Sequence, residues 1–151
     1  AGMGEEFLET TVDKFTFRVK RGCWYSAEGV WVQLEGERTR LGLTDFLQQS
    51  SGDMAFVSVR PPGTELKAGD EVASVETMKM QIEVGSPLSG TVVERNESLD
   101  VTPELVNEDP YGEGWLAAIE PAAWETERTS LLSDEQYLDL VRGEALKELG
   151  E

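Results

Sequence analysis

Lys79 stands in Glu76-Thr77-Met78-Lys79-Met80, between two runs of β character, Glu71-Val72-Ala73-Ser74-Val75-Glu76 and Gln81-Ile82-Glu83-Val84. The connection is of hairpin length, so the lysine is expected at a tip, extended into water. Most lysines in such a place only solvate a turn. This one is flanked by Met78 and Met80. Apolar side chains on an exposed tip point to recognition by another protein. The chemistry on offer is that of a primary amine held out to a partner. Glu76 and Glu83 flank the hairpin and read equally as strand solubility or as charges for a basic partner surface.

Other chemistries are closed by composition. There is no histidine, which removes Ser-His-Asp and Cys-His catalysis and any histidine metal site. Cys23 is the single cysteine, so neither an intrachain disulfide nor a thiolate zinc cluster can form. The balance of 30 acidic against 13 basic residues gives a net charge of −17. Such a surface repels phosphate backbones and argues against nucleic acid as a partner. It favours solubility and basic protein surfaces. No apolar run approaches the roughly 20 residues of a membrane span, and Phe7-Leu8 is too short for a signal sequence. The expectation is a cytoplasmic protein without a membrane partner. Ala1-Gly2 ahead of Met3 reads as a cloning remnant.

The elements that must position the lysine are mostly strands. Residues 15–19, 30–34, 39–43, 54–59, 71–76, 81–84 and 90–95 alternate apolar and polar or run β-rich. Glu35-Gly36-Glu37 reads as a hairpin turn, and Thr44 as the cap of a short helix stopped at residues 50–53. Pro62-Gly63-Thr64-Glu65-Leu66 and Leu88-Ser89-Gly90-Thr91-Val92 echo one another on either side of the lysine hairpin, a hint of quasi-twofold halves. Ser133-Asp134-Glu135-Gln136 has capping-box form and opens a helix over 134–149. The fold class is therefore mainly β, a flattened barrel or sandwich with short helices and a C-terminal helix. Residues 1–14 are expected to be a flexible N-terminus and 15–151 a single domain.

Glu76-Thr77-Met78-Lys79 is similar to the lipoylation site of 2-oxoacid dehydrogenase acyltransferases, and Met78-Lys79-Met80 to a biotinylation site. The hairpin alone leaves lipoyl and biotinyl carriers open. The wider chain resembles the glycine cleavage H-protein family. Tyr25 to Val32 is similar to its Tyr-Thr-x-Glu-His-Glu-Trp-Val segment, and Leu41-Gly42-Leu43-Thr44-Asp45-Phe46 to its Gly-Ile-Thr-Asp turn. Ser86-Pro87-Leu88-Ser89-Gly90 follows the lysine without a gap, as Ser-Pro-Val-Ser-Gly does there. Residues 103–115, ending Asn107-Glu108-Asp109-Pro110-Tyr111-Gly112-Glu113-Gly114-Trp115, resemble the family signature, and 131–137 its terminal helix. Read physically, that run is an ordered loop. Thr102 would cap it, with Pro103 at the first helical position, and Trp115 would anchor it.

The resemblance implies a carrier subunit rather than an enzyme, with lipoate in amide linkage to Lys79. Glu76, Thr77, Met78, Met80 and Glu83 would form the recognition surface around it. The implied partners are a lipoate ligase or lipoyl transferase and the glycine cleavage enzymes: glycine decarboxylase, aminomethyltransferase and dihydrolipoamide dehydrogenase. The cargo would be an aminomethyl group and reducing equivalents. The sequence departs from the family at the cargo pocket. Val30 stands where the family has the glutamate that holds the cargo amine, Gly29 where it has histidine, and Phe46 follows Thr44-Asp45. A greasier pocket keeps two alternatives in view: an H-like lipoate-binding protein of heterodisulfide-reductase-like sulfur oxidation, with sulfur-oxidation enzymes as partners, and a biotin carrier domain.

Overall fold

The computed structural model describes residues 6–149. In chain order its strands are β1 (Phe7–Val12), β2 (Phe15–Lys20), β3 (Trp24–Tyr25), β4 (Val30–Glu35), β5 (Arg38–Leu43), β6 (Met54–Val59), β7 (Glu65–Leu66), β8 (Glu71–Thr77), β9 (Gln81–Gly85), β10 (Gly90–Arg95) and β11 (Ala117–Pro121). The helices are α1 (Asp45–Ser51), α2 (Leu105–Glu108), α3 (Trp124–Glu127) and α4 (Asp134–Leu149). Three sheets result: β1-β2, a six-stranded sheet in the order β3-β4-β5-β11-β10-β7, and β6-β8-β9. The mainly β class with short helices and a C-terminal helix is the observed one.

The N-terminal expectation needs correcting. Phe7–Val12 is not loose but pairs antiparallel with β2 along its whole length, from Phe7↔Lys20 to Val12↔Phe15. Its Thr10 and Val12 turn inward, and Val12 joins Phe17 and Val19 in a buried cluster. Glu6 is the first described residue, and the cloning-remnant reading of residues 1–2 lies outside the described ones.

Alternation along β4 divides the interior in two. Val30 and Val32 face a core shared with Leu41, Leu43, Val57, Val75 and Leu88. Trp31, between them, faces a second core with Tyr25, Tyr111, Tyr137 and Val141. This is the period-two geometry of a strand buried on both faces. Trp31 lies so close to β5 that a β-carbon on Gly42 would meet its ring at 2.5 Å, and its indole donates to Pro110 O at 2.9 Å. Tyr25 and Tyr137 stack with ring centroids 4.6 Å apart. Cys23 is buried here, and burial pushes its thiol up to about 11, so it packs as a small apolar side chain.

Local signals act as read. Thr44 caps α1, its Oγ1 accepting from Leu47 N at 3.2 Å, and the helix runs on through Ser51 to a Gly52 cap. Ser133 and Gln136 form the reciprocal box that starts α4: Gln136 N–H donates to Ser133 Oγ at 3.2 Å and Ser133 N–H to Gln136 Oε1 at 2.9 Å. The two echoing segments pair with each other. Gly90 lies opposite Leu66 and Thr91 opposite Glu65, which puts a local twofold between them. Thr102 does not cap with its side chain: α2 is entered from Glu104 without a side-chain cap, and only the Thr102 carbonyl receives Leu105 N–H, at 3.2 Å. Trp115 is half-buried under the Arg40 guanidinium, 4.5 Å from its ring centre.

Candidate carrier site

Lys79 sits in the turn between β8 and β9, whose register ends at Glu76↔Gln81. Thr77 builds that turn. Its Oγ1 accepts from Lys79 N at 3.3 Å and from Met80 N at 3.1 Å, and donates to Met80 O at 3.2 Å. The backbone adds Thr77 N to Met80 O at 2.9 Å. Thr77 is buried. It holds the turn from within and offers no recognition surface, which corrects its sequence-based role. Met78, Lys79 and Met80 are exposed, as are Glu76 on β8 and Glu83 on β9.

A feature the sequence reading missed lies beneath the lysine. Gly52, at the end of α1, has φ +97°, and a β-carbon there would sit 3.3 Å from Lys79 Cε. The lysine stem thus crosses a glycine whose conformation L side chains rarely adopt. Asn107 fixes this shelf. Its amide donates to Gly52 O and to Gln48 Oε1, both at 3.0 Å, and its Oδ1 accepts from Met54 N at 2.9 Å. One side chain of the Asn-Glu-Asp-Pro run therefore ties α1, the start of β6 and α2 together below the lysine. The signal was the run itself; its contact with residues some 55 positions away was not legible.

Beside the hairpin opens a cleft of about 510 Å³, lined among others by Glu28, Val30, Leu47, Ile82, Glu83 and Leu131. Ile82 and Glu83 place it roughly 10 Å along the strand from Lys79. Val30, expected in a cargo pocket with Phe46, and Glu83, expected on the recognition surface of the hairpin, line the same cleft. Phe46 does not line it. Neighbours on a helix point about 100° apart, so Leu47 faces the cleft while Phe46 packs edge-on to Phe17, centroids 5.1 Å apart. Phe46 belongs to the second core and not to a cargo pocket. Glu28 was missed; it stands on the turn closed by Ser26 N–H to Val30 O at 2.9 Å. Among the described residues no group of histidine, cysteine, aspartate or glutamate is arranged to hold a metal, and no helix is long and apolar enough to cross a membrane.

The family profile described as glycine cleavage H-protein matches residues 23–144. The chain belongs to the glycine cleavage H-protein family. It is 46% identical over 117 residues to the glycine cleavage system H protein of Geobacillus thermodenitrificans, covering 78% of this chain and 91% of that one. To the H protein of Bacillus subtilis it is 44% identical over 119 residues, covering 78% and 92%. A crystal structure of a glycine cleavage system H protein from Mycobacterium marinum superposes with a TM-score of 0.71 at 29% identity, covering 78% of this chain and 94% of that one. The H-protein match begins after β2, so the β1-β2 hairpin precedes the matched region. These relatives carry the glycine cleavage name, which favours that reading over sulfur oxidation or biotin carriage.

Proposed function

We propose that this H-protein carries lipoate on Lys79 and shuttles an aminomethyl group and reducing equivalents between the glycine cleavage enzymes. It acts as a carrier subunit rather than as an enzyme. The observation that carries the reading is an exposed lysine on a turn braced by Thr77, beside a cleft that is apolar at Val30, Leu47, Ile82 and Leu131. The group fits these residues: an amine free for acylation, and a part-apolar cleft within an arm's reach. Loading is an acyl transfer. Lys79 Nζ, as the neutral amine, would attack the carbonyl carbon of a lipoyl group activated as a mixed anhydride with phosphate; the amide C–N bond would form, the C–O bond to the activating phosphate would break, and the amine's proton would leave with that group. This removes one positive charge from the chain. When bound, lipoate supplies a dithiol/disulfide pair that holds the cargo and takes up two electrons; the protein supplies position and recognition.

Peptide mass mapping after incubation with a lipoate ligase, lipoate and ATP tests the assignment. All added lipoyl mass is expected on Lys79. Mass on another lysine, or none on this one, would sink it.

The cleft also sets how well cargo is held. Val30 offers an amine nothing, while Glu28 and Glu83 line the same cleft with exposed, hydrated carboxylates. A charge-assisted hydrogen bond is worth about 1.5–3 kcal/mol. Val30→Glu is therefore expected to slow loss of the aminomethyl group about tenfold in a reconstituted glycine assay, at some cost in melting temperature because Val30 is buried. An unchanged loss rate would mean that the two existing carboxylates already hold the amine.

A further inference from the structure

Among the described residues, the three most exposed large apolar side chains are Met78 at 90%, Val101 at 85% and Phe56 at 69%. They are far apart in sequence, yet they gather on one side of the molecule. The cause at Phe56 is a bulge. Met54 pairs with Thr77 and Phe56 with Glu76, so Ala55 is an extra residue and both Ala55 and Phe56 turn outward. Phe56 therefore lies directly across from Glu76, about 5 Å away, and Met78 is roughly one further strand repeat, about 7 Å, toward the tip. On its other flank Phe56 lines a groove of about 550 Å³ with Val57, Leu99, Val101 and Pro103. Among the described residues, the charged side chains lining that groove are Asp100, whose carboxylate is paired with the Arg95 guanidinium at 3.0 and 3.1 Å, and the unpaired Glu104; Glu76 stands exposed at its hairpin end. An apolar floor with an acidic rim thus runs from the 3-10 turn Glu97–Asp100 to the modifiable lysine.

We propose that this groove docks the enzyme that acylates Lys79, through an apolar ridge flanked by lysine or arginine side chains. The inference rests on the carrier reading above. Two arguments select this partner. An acylating enzyme must bring its active site to the bare Nζ, so its contact surface has to lie within about 10 Å of the hairpin, where the groove is; an enzyme that uses the loaded arm gains the length of the arm and can sit farther off. The rim is acidic, on a chain of net charge −17, and so complements a basic frame around an apolar anchor. Large exposed apolar side chains beside a functional group mark such interfaces.

The test uses the full chain, a lipoate–protein ligase, lipoate and ATP, with initial acylation rates followed by intact mass across carrier concentrations. Phe56→Ser and Val101→Asp are expected to raise KM at least tenfold, to leave kcat within about twofold and to keep the wild-type melting temperature. Phe56→Leu should retain most of the affinity. Leu146→Ser, an equally apolar loss on α4 at a side chain 52% exposed, should behave as wild type. Unaltered KM in both groove variants overturns the inference while leaving the carrier reading intact. So does a KM change confined to the assay with glycine decarboxylase, which would assign the groove to an enzyme that uses the arm. A wild-type chain that takes up no lipoate at Lys79 overturns the carrier reading and this inference together.

Discussion

Lys79→Arg is expected to melt at the wild-type temperature and to carry nothing. The side chain is exposed at a turn held by Thr77, and neither the Thr77 bonds nor the Glu76↔Gln81 pair involves the lysine side chain. Substitutions at such surface positions stay within about ±0.5 kcal/mol. Arginine keeps the charge, but its guanidinium stays protonated and forms no amide under these conditions. The variant should gain no lipoyl mass and support no transfer between partner enzymes, a loss limited only by assay background. A variant that melts many degrees lower would make Lys79 a structural residue. A stable variant that still supports the coupled reaction would end the carrier reading.

Gly114→Ala is expected to cost stability and loading together. A β-carbon there would lie 2.4 Å from Leu105 O and 2.8 Å from both Leu105 C and Val106 Cα, all backbone atoms of α2 that no side-chain rotation can clear. The loop is fixed on its own side as well: Gly114 N–H donates to Asp109 O at 2.9 Å and Glu113 N–H to Asp109 Oδ2 at 2.9 Å. Relief must come from α2 moving, and α2 carries Asn107, whose bonds hold Gly52 and Met54 under the lysine. Overpacking of this kind costs about 1–3 kcal/mol, which for a domain of this size lowers Tm by roughly 2–12 °C. Acylation should slow as well, because the shelf beneath Lys79 shifts. Thermal melts and initial acylation rates on one preparation check both halves; a normal melt with a normal rate would mean that the loop and α2 are not coupled to the hairpin.

The strands that present Lys79 were readable because each buries one face. Residues 71–76 and 81–84 alternate, and the break between them is too short for anything but a hairpin. β11 was not readable for the opposite reason. Ala117, Ala118 and Ile119 lie between β5 and β10 and are buried on both sides, so the segment shows no alternation. β1 was passed over because Glu9, Thr10 and Thr11 look polar, and only its pairing with β2 shows that Thr10 is inside. At the site, the lysine and its methionines could be read from residue types, and Val30 in the place of the family's glutamate only from the resemblance. Gly52, Asn107 and Glu28 could not, because each acts through a neighbour distant in the chain. Phe46 was misassigned because a position after Thr44-Asp45 says that a helix begins but not which way its first side chains turn.

Thr77 gives the carrier a fixed pivot. With the Lys79 and Met80 amides both tied to one buried hydroxyl, the base of the lipoyl arm proposed on Lys79 would be fixed, and its search volume would be set by the arm's own length. A tether of short, defined reach holds its end at an effective concentration on the order of mM near a docked partner, and that value falls steeply as the tether gains slack. Loosening the pivot, by Thr77→Val or by a glycine inserted after Met80, would leave the groove of Phe56 and Val101 in place. It would still dilute the arm's end over a larger volume, slowing each hand-off without changing how tightly any partner binds.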